Sequence, residues 1–152
     1  TTGEPPRVLD RAELPIDTSQ LARFLIGKML MRILTEGVAG GRIVETEAYG
    51  IGDPAGHAYG GMTPRNRTLF LERGHAYVYL AYGRSFMLNV SSETVGVGAG
   101  VLIRAIEPTA GIAIMQRNRG TERVHPQWCR LQLTHPAGVR LRPDPGPKPS
   151  PG

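Results

Sequence analysis

Apolar and polar residues follow each other in short runs along most of this chain, a pattern typical of strands joined by turns. Near the start, residues 17–19 offer N-cap side chains to a segment over 21–27 whose apolar residues recur at helical spacing and which Gly27 can end. Alternating runs then predict strands over 28–34, 42–49, 75–82, 86–92 and 100–107. A turn is predicted over 35–41, and a short helix, capped by Thr109, over 110–120.

The longest predicted loop covers residues 50–66 and has the sequence GIGDPAGHAYGGMTPRN. A loop of this length inside a small domain is usually functional or disordered. His57, Tyr59 and Arg65 suit a binding loop better than a linker. Around this loop, the run of hairpin-like strands predicts a single domain of mixed α/β (α+β) class, with a mainly antiparallel sheet and peripheral helices.

The composition changes after about residue 123. The segment 124–152 carries seven of the thirteen prolines and shows no amphipathic period. We therefore expect a domain over residues 1–123 and an atypical Pro- and Arg-rich tail over 124–152 that is partly disordered.

The overall charge is basic, with 18 Lys and Arg residues against 13 Asp and Glu residues and an isoelectric point near 9.9. A basic surface favours polyanionic partners such as nucleic acid. Cys129 is the one cysteine, which excludes an internal disulfide. No run of residues reaches the length of a membrane span and the first residues lack the order of a signal peptide, so we expect a soluble, cytoplasmic protein without a membrane partner.

Several polar and aromatic residues are candidates for chemistry, but each has an ordinary explanation when taken singly. Alternation along the strand over 42–49 places four side chains on one face: Ile43, Glu45, Glu47 and Tyr49. Two carboxylates at this spacing are more often solvated or salt-bridged than catalytic. A lone histidine such as His57 usually lies at the surface, and Tyr77, on the same strand face as Tyr79, is expected to be a packing residue.

Four short motifs occur in one order and at close spacing: VETEAY, DPAGHAYGGMTPRN, HAYVYLAYGRSFMLNV and VLIRAIEP. Their succession resembles the alkyladenine (3-methyladenine) DNA glycosylase family, over roughly Leu21 to Arg123. The resemblance implies a curved sheet and a monomeric base-excision repair hydrolase. Such an enzyme flips alkylated or deaminated purines, of the 3-methyladenine and hypoxanthine type, out of double-stranded DNA and cleaves the glycosidic bond. No cofactor is expected, and no metal either, because the four histidines and the single cysteine show no ligand spacing.

The resemblance also implies roles for individual residues. The second glutamate of VETEAY, Glu47, activates the attacking water, and Arg104 of VLIRAIEP helps to hold that water. The pocket for the everted base is expected from the residues that match the family's pocket: Tyr49, His57, Tyr79 and Asn89. Aromatic faces attract a cationic alkylated purine, and the asparagine crowds the pocket against the exocyclic amine of guanine.

A further set of residues is expected to contact DNA outside the pocket. Tyr82 matches the family's tyrosine that intercalates where the flipped nucleotide has left the stack. Arg65, Arg67 and Arg84 are possible contacts to the DNA backbone, and Arg73 flanks the same segments. Because Arg84 stands where an apolar residue is common in the family, contacts near it are expected to differ.

The C-terminal segment departs from the family, because a Pro- and Arg-rich sequence stands where further helix and strand are expected. The chain therefore looks like a relative with a truncated C-terminal part, and three interpretations stay open. It is an active glycosylase that does not cleave the strand, or a catalytically impaired relative that only binds DNA. The third is a small RNA-binding module that stacks bases on Tyr77, Tyr79 and Tyr82, which leaves VETEAY and VLIRAIEP unexplained.

Overall fold

The computed structural model describes residues 7–81, 85–119 and 139–142. A 3-10 turn at Arg11–Glu13 precedes helix α1 (Thr18–Leu25), which is followed by strands β1 (Met29–Leu34) and β2 (Gly37–Tyr49). After the loop over 50–66 and a second 3-10 turn (Arg67–Phe70) come β3 (Ala76–Ala81), β4 (Ser85–Ser91), β5 (Gly100–Ala110), helix α2 (Ile112–Arg119) and β6 (Val139–Arg142).

The described strands form one sheet in the order β3-β4-β5-β2-β1-β6, and every neighbouring pair is antiparallel. Short connections join β1 to β2, β3 to β4 and β4 to β5, whereas the pairing of β2 with β5 is long-range and unites the two halves of the sheet. With α1 and α2 added, this arrangement confirms the predicted mixed α/β fold with a curved, mainly antiparallel sheet.

Helix α1 forms where the capping residues and the apolar spacing predict it. The side chain of Asp17 accepts a hydrogen bond of 2.9 Å from the backbone N–H three residues on, which satisfies one of the donors that a helix start leaves open. Leu21 and Leu25 are fully buried, and each such burial stabilises the fold by about 1.5–3 kcal/mol. Glu93, which follows β4, accepts a bond of 2.9 Å from the backbone N–H of Thr18 and ties the helix to the sheet.

The predicted turn over 35–41 is wrong, because β2 already begins at Gly37 and the connection shrinks to residues 35 and 36. The reason is that Gly40 and Gly41 serve close packing rather than a turn. A Cβ atom on them would lie 2.1 and 2.0 Å from backbone oxygens of β1 and β5, respectively. Glycine at these positions therefore lets three strands approach each other.

The predicted Thr109 cap is also wrong, because β5 continues to Ala110 and α2 begins only at Ile112. Gly111 makes the change of direction with a positive φ of 67°, and its carbonyl oxygen accepts the first helical bond, at 3.0 Å from the backbone nitrogen of Met115. A Cβ atom on Gly111 would lie 2.4 Å from a backbone oxygen of β2. The close approach of a strand thus decides where the helix starts.

The core lies between the sheet and the two helices. Its buried side chains come mainly from α1, α2 and four of the strands, and they include Leu21, Leu25, Ile43, Leu88, Val101, Ile106 and Ile114. Within the described part of the chain, no helix combines the length and the apolarity needed to cross a bilayer. Of the predicted tail over 124–152, only residues 139–142 are described, and their backbone pairs with β1. The other tail residues, which were expected to be partly disordered, lie outside the described residues.

Candidate active site

Between the pairs Ile43–Ile106 and Thr46–Ile103, the ladder of β2 and β5 skips one residue on each strand, Val44 on β2 and Arg104 on β5. Bulges of this kind bend a strand and change the direction of its side chains, and they are common near functional sites. The Nε atom of Arg104 lies 3.5 Å from Oε1 of Glu47, and both side chains are 38% exposed. The structure therefore brings the two predicted catalytic residues together across neighbouring strands.

The bulge also changes the predicted alternation along β2. Ile43 is fully buried in the core, and the Thr46 hydroxyl donates a hydrogen bond of 2.9 Å to a carbonyl oxygen of α1. Both side chains thus face α1, while Glu47 and Tyr49 face the other way. The prediction that Ile43 shares the face of these two residues is wrong. The extra residue at Val44 shifts the alternation by one, so that side chains after the bulge point to the opposite face from the one predicted.

A short hydrogen bond joins the two predicted site residues at the end of β2. The hydroxyl of Tyr49 donates to Oε2 of Glu47 at 2.5 Å. This bond, with burial as the second cause, raises the pKa of Tyr49 to about 12. The carboxylate of Glu47 is therefore in contact with a phenol through one oxygen and with the guanidinium of Arg104 through the other.

Three aromatic side chains form a wall beside this carboxylate. The rings of His57 and Tyr79 lie with centroids 4.0 Å apart at an angle of 41°, and the Tyr77 ring meets His57 edge-on at 5.8 Å. The Tyr77 hydroxyl and Nδ1 of His57 form a hydrogen bond of 3.0 Å. Partial burial, followed by the positive charge of Arg65, lowers the pKa of His57, and burial raises the pKa of Tyr77.

The four predicted pocket residues line one pocket between the loop 50–66 and the sheet: Tyr49, His57, Tyr79 and Asn89. The pocket is completed by further loop residues, Tyr59 among them, by Leu69, and by Ala99 and Gly100, where β5 begins. Asn89 is buried, and its Nδ2 donates a weak bond of 3.4 Å to the carbonyl oxygen of Tyr77. Glu47 is not part of the lining but touches it through the Tyr49 hydroxyl.

Two further residues support the pocket, and the sequence assigned neither of them to the glycosylase site. Tyr77 was expected to be a packing residue, yet it is hydrogen-bonded to His57 and, through its carbonyl oxygen, to Asn89. Asn66 is 5% exposed and holds the backbone of the loop, including the carbonyl of His57. The alternation that places Tyr77 on the same strand face as Tyr79 could have indicated its role. No pattern in the sequence indicated the role of Asn66.

The predicted DNA-backbone residues fall into three groups. Arg65 and Arg67 are exposed, in and directly after the loop 50–66. Arg73 has a structural contact instead, because its Nε donates a hydrogen bond of 2.7 Å to the carbonyl oxygen of Leu14. The predicted intercalating residue Tyr82, together with Arg84, lies outside the described residues.

This arrangement has clear chemical capacities. A carboxylate that is held by an arginine and a phenol can orient and deprotonate a water molecule. The aromatic wall can bind a flat, electron-poor ring by stacking and cation–π attraction. Among residues 7–81 and 85–119, no three or more His, Cys, Asp or Glu side chains are grouped so as to hold a metal ion.

The chain matches one protein family along most of its length. A profile of the family described as methylpurine-DNA glycosylase matches residues 12–135. The match continues past Arg123 into the segment 124–152, and the boundary between domain and tail stays a prediction.

Individual relatives carry the name "Putative 3-methyladenine DNA glycosylase". One from Mesorhizobium japonicum is 68% identical over 122 residues, which cover 80% of this chain and 59% of the relative. One from Paraburkholderia phytofirmans is 55% identical over 72% of this chain and 51% of the relative. One from Methanoculleus marisnigri is 49% identical over 70% of this chain and 55% of the relative. The matched part of the chain thus spans between about half and three-fifths of the length of these relatives.

Proposed function

Because this chain belongs to the methylpurine-DNA glycosylase family, we propose that it excises alkylated or deaminated purines, of the 3-methyladenine and hypoxanthine type, from double-stranded DNA. The observation that carries the proposal is the contact between Glu47 and Arg104 beside an aromatic pocket. Hydrolysis of an N-glycosidic bond needs a general base and a binding place for a planar base at one point, and these side chains supply both.

In the proposed reaction, Glu47 takes a proton from a water molecule that Arg104 helps to hold. The water oxygen forms a bond to C1′ of the sugar while the C1′–N bond breaks. The electron pair of the broken bond stays on the nitrogen of the leaving purine. A cationic 3-methyladenine leaves as a neutral molecule and needs no acid. Because positive charge grows on the sugar in the transition state, a nearby carboxylate also stabilises it electrostatically.

We propose a single displacement by water, without cleavage of the DNA strand. Strand cleavage through a Schiff base needs an amine at the pocket. Lys28, the one lysine among the described residues, lies over the ring of Phe24 in α1, at 4.4 Å from its centroid. The Lys28 amine thus contacts α1, and Lys28 is not among the residues that line the pocket.

The pocket accounts for selection among purines in this proposal. A cationic alkylated purine stacked in the pocket that Tyr49, His57 and Tyr79 line gains about 0.5–2 kcal/mol from cation–π attraction. Asn89 is assigned to crowd the exocyclic amine of guanine, and its burial and its position in the pocket lining support this role. A neutral purine such as hypoxanthine gains only the stacking contribution.

The proposal includes flipping of the damaged nucleotide out of the duplex, which costs a few kcal/mol. Tyr82 is assigned to the vacated space by its match to the family's intercalating tyrosine. Arg65 and Arg67, both exposed beside the pocket loop, and Arg84 are assigned to the phosphates. Each phosphate contact adds to the salt dependence of binding.

The test is release of the base by the purified chain from a duplex with a single hypoxanthine, or from methylated DNA, measured as alkali-labile sites. Glu47→Gln is expected to lower the rate by about 10²–10⁴-fold, the usual contribution of a general base, without weakening binding to the duplex. Glu45→Gln, an exposed glutamate on the same strand, is the matched control and is expected to keep the rate.

Two outcomes would contradict the proposal. Full turnover by Glu47→Gln would show that the general base is misassigned. Binding of damaged duplex without any base release by the unaltered chain would favour the second interpretation, a catalytically impaired relative that only binds DNA.

A further inference from the structure

We propose that Tyr49 is a positioning residue for the general base: its hydroxyl holds the Glu47 carboxylate while its ring lines the base pocket. A single side chain then couples the wall of the pocket to the group that activates water. The inference rests on the proposed function of Glu47 and adds a role for Tyr49 beyond stacking.

The geometry of the contact is that of a strong hydrogen bond. The distance of 2.5 Å from the Tyr49 hydroxyl to Oε2 of Glu47 lies at the short end of the range for a hydroxyl that donates to a carboxylate, about 2.5–2.7 Å. The phenol must keep its proton to donate, and its pKa of about 12 keeps it protonated at neutral pH. Strand alternation supports the contact, since residues i and i+2 project from the same face.

The two anchors of Glu47 act on different oxygens. Tyr49 binds Oε2, and Arg104 lies 3.5 Å from Oε1. The terminal torsion of a glutamate is broad when nothing constrains it, and a base that deprotonates water must present a lone pair in one direction. Two contacts at opposite oxygens fix the plane of the carboxylate, and each oxygen keeps a further lone pair for water.

The ring and the hydroxyl of Tyr49 can be separated by mutation. Tyr49→Phe keeps the aromatic face in the pocket and removes only the bond to Glu47. Tyr49→Leu removes both. If the hydroxyl positions the Glu47 carboxylate, Tyr49→Phe lowers the rate of base release alone. Tyr49→Leu lowers both this rate and the affinity for damaged duplex.

The first measurement follows the ionisation of Tyr49 itself and does not depend on activity. In chains labelled with ¹³C at the tyrosine ζ carbon, the signal that Tyr49→Phe removes is followed between about pH 8 and pH 11. In the unaltered chain this signal is expected to stay in the phenol form. In Glu47→Gln it is expected to move to the phenolate form at a lower pH than in the unaltered chain, because the first cause of the raised pKa of Tyr49, its bond to the carboxylate, is gone, whereas Glu45→Gln leaves it unchanged.

The second measurement is the single-turnover rate of base release, with the affinity for damaged duplex measured in parallel. Tyr49→Phe is expected to lower the rate by about tenfold, as for the loss of one charge-assisted hydrogen bond, with affinity within about twofold. A merely structural role of the hydroxyl would lower the affinity together with the rate.

The outcomes separate the two proposals. A Tyr49→Phe variant with unaltered rate, or a Tyr49 signal that titrates near pH 10 in the unaltered chain, overturns the positioning role. A chain that releases no base, but whose Tyr49 signal depends on Glu47, contradicts the proposed function and still supports the coupling of the phenol to the carboxylate.

Discussion

The side-chain amide of Asn66 donates a hydrogen bond of 2.8 Å to the backbone carbonyl oxygen of His57. The same amide donates to the carbonyl of Gly61 at 3.0 Å, and its oxygen accepts from the backbone N–H of Thr63 at 2.7 Å. One buried side chain therefore closes the second half of the loop 50–66 on itself. The position of the His57 ring in the pocket depends on this closure.

Replacement of Asn66 by alanine should loosen the loop that carries His57. The change leaves two carbonyl groups and one N–H group without their partner, and an unsatisfied buried polar group costs about 1–3 kcal/mol. We expect a loss of at least this size in the free energy of unfolding, measured by urea denaturation, together with faster amide exchange in residues 57–63. Asn118→Ala, at an exposed position of α2, is the control, and an equal loss there would count against the closure.

The hydroxyl of Tyr77 should matter for the pocket although the residue is buried. Tyr77→Phe keeps the packing and removes the bond of 3.0 Å to Nδ1 of His57. We expect a loss of about 0.5–1.5 kcal/mol in the free energy of unfolding, the usual net value of one hydrogen bond, and greater mobility of the His57 ring by NMR. Tyr59→Phe, in which the tyrosine is 64% exposed, should change the unfolding free energy by less than about 0.5 kcal/mol. A rigid His57 ring in Tyr77→Phe would contradict this expectation.

The stability of the protein should depend on the protonation of His57. Its pKa lies below the ordinary value of 6.5, first because of burial and second because of Arg65, so the unfolded chain takes up this proton at a higher pH than the folded chain. The contribution of His57 is therefore fully present above pH 6.5 and is lost as the pH falls from there to the folded pKa. We expect His57→Gln to flatten the fall in melting temperature over this interval. Arg65→Gln should make this fall in melting temperature smaller. If His57→Gln left the fall unchanged, the pH dependence would not come from His57.

Local patterns were enough to predict most of the elements. Asp17 and the spacing of Leu21 and Leu25 predicted α1, since capping and helical periodicity depend only on near neighbours in the chain. For the same reason, the two-residue period of a strand predicted that Glu47 and Tyr49 share a face. The grouping of these residues with His57, Tyr79 and Asn89 came from the family resemblance rather than from periodicity.

Other features depend on strands that are distant in sequence. Gly40 and Gly41 resemble turn residues until β1 and β5 approach them, and the same approach by β2 sets the start of α2 at Gly111. The bulges at Val44 and Arg104 arise from the register between β2 and β5, and no local pattern encodes a register between distant segments. They separate Ile43 from the site and bring Arg104 to Glu47.

Short-range patterns and motifs in the sequence thus determined the residue types at the site and predicted that Glu47 and Tyr49 share a strand face. The tertiary structure decided which side chains support them, because the contacts of Asn66 with His57 and of Tyr77 with Asn89 form only after the loop and the sheet have packed. A hydrogen bond between such segments depends on distances that the folded sheet sets and that spacing along the chain does not contain.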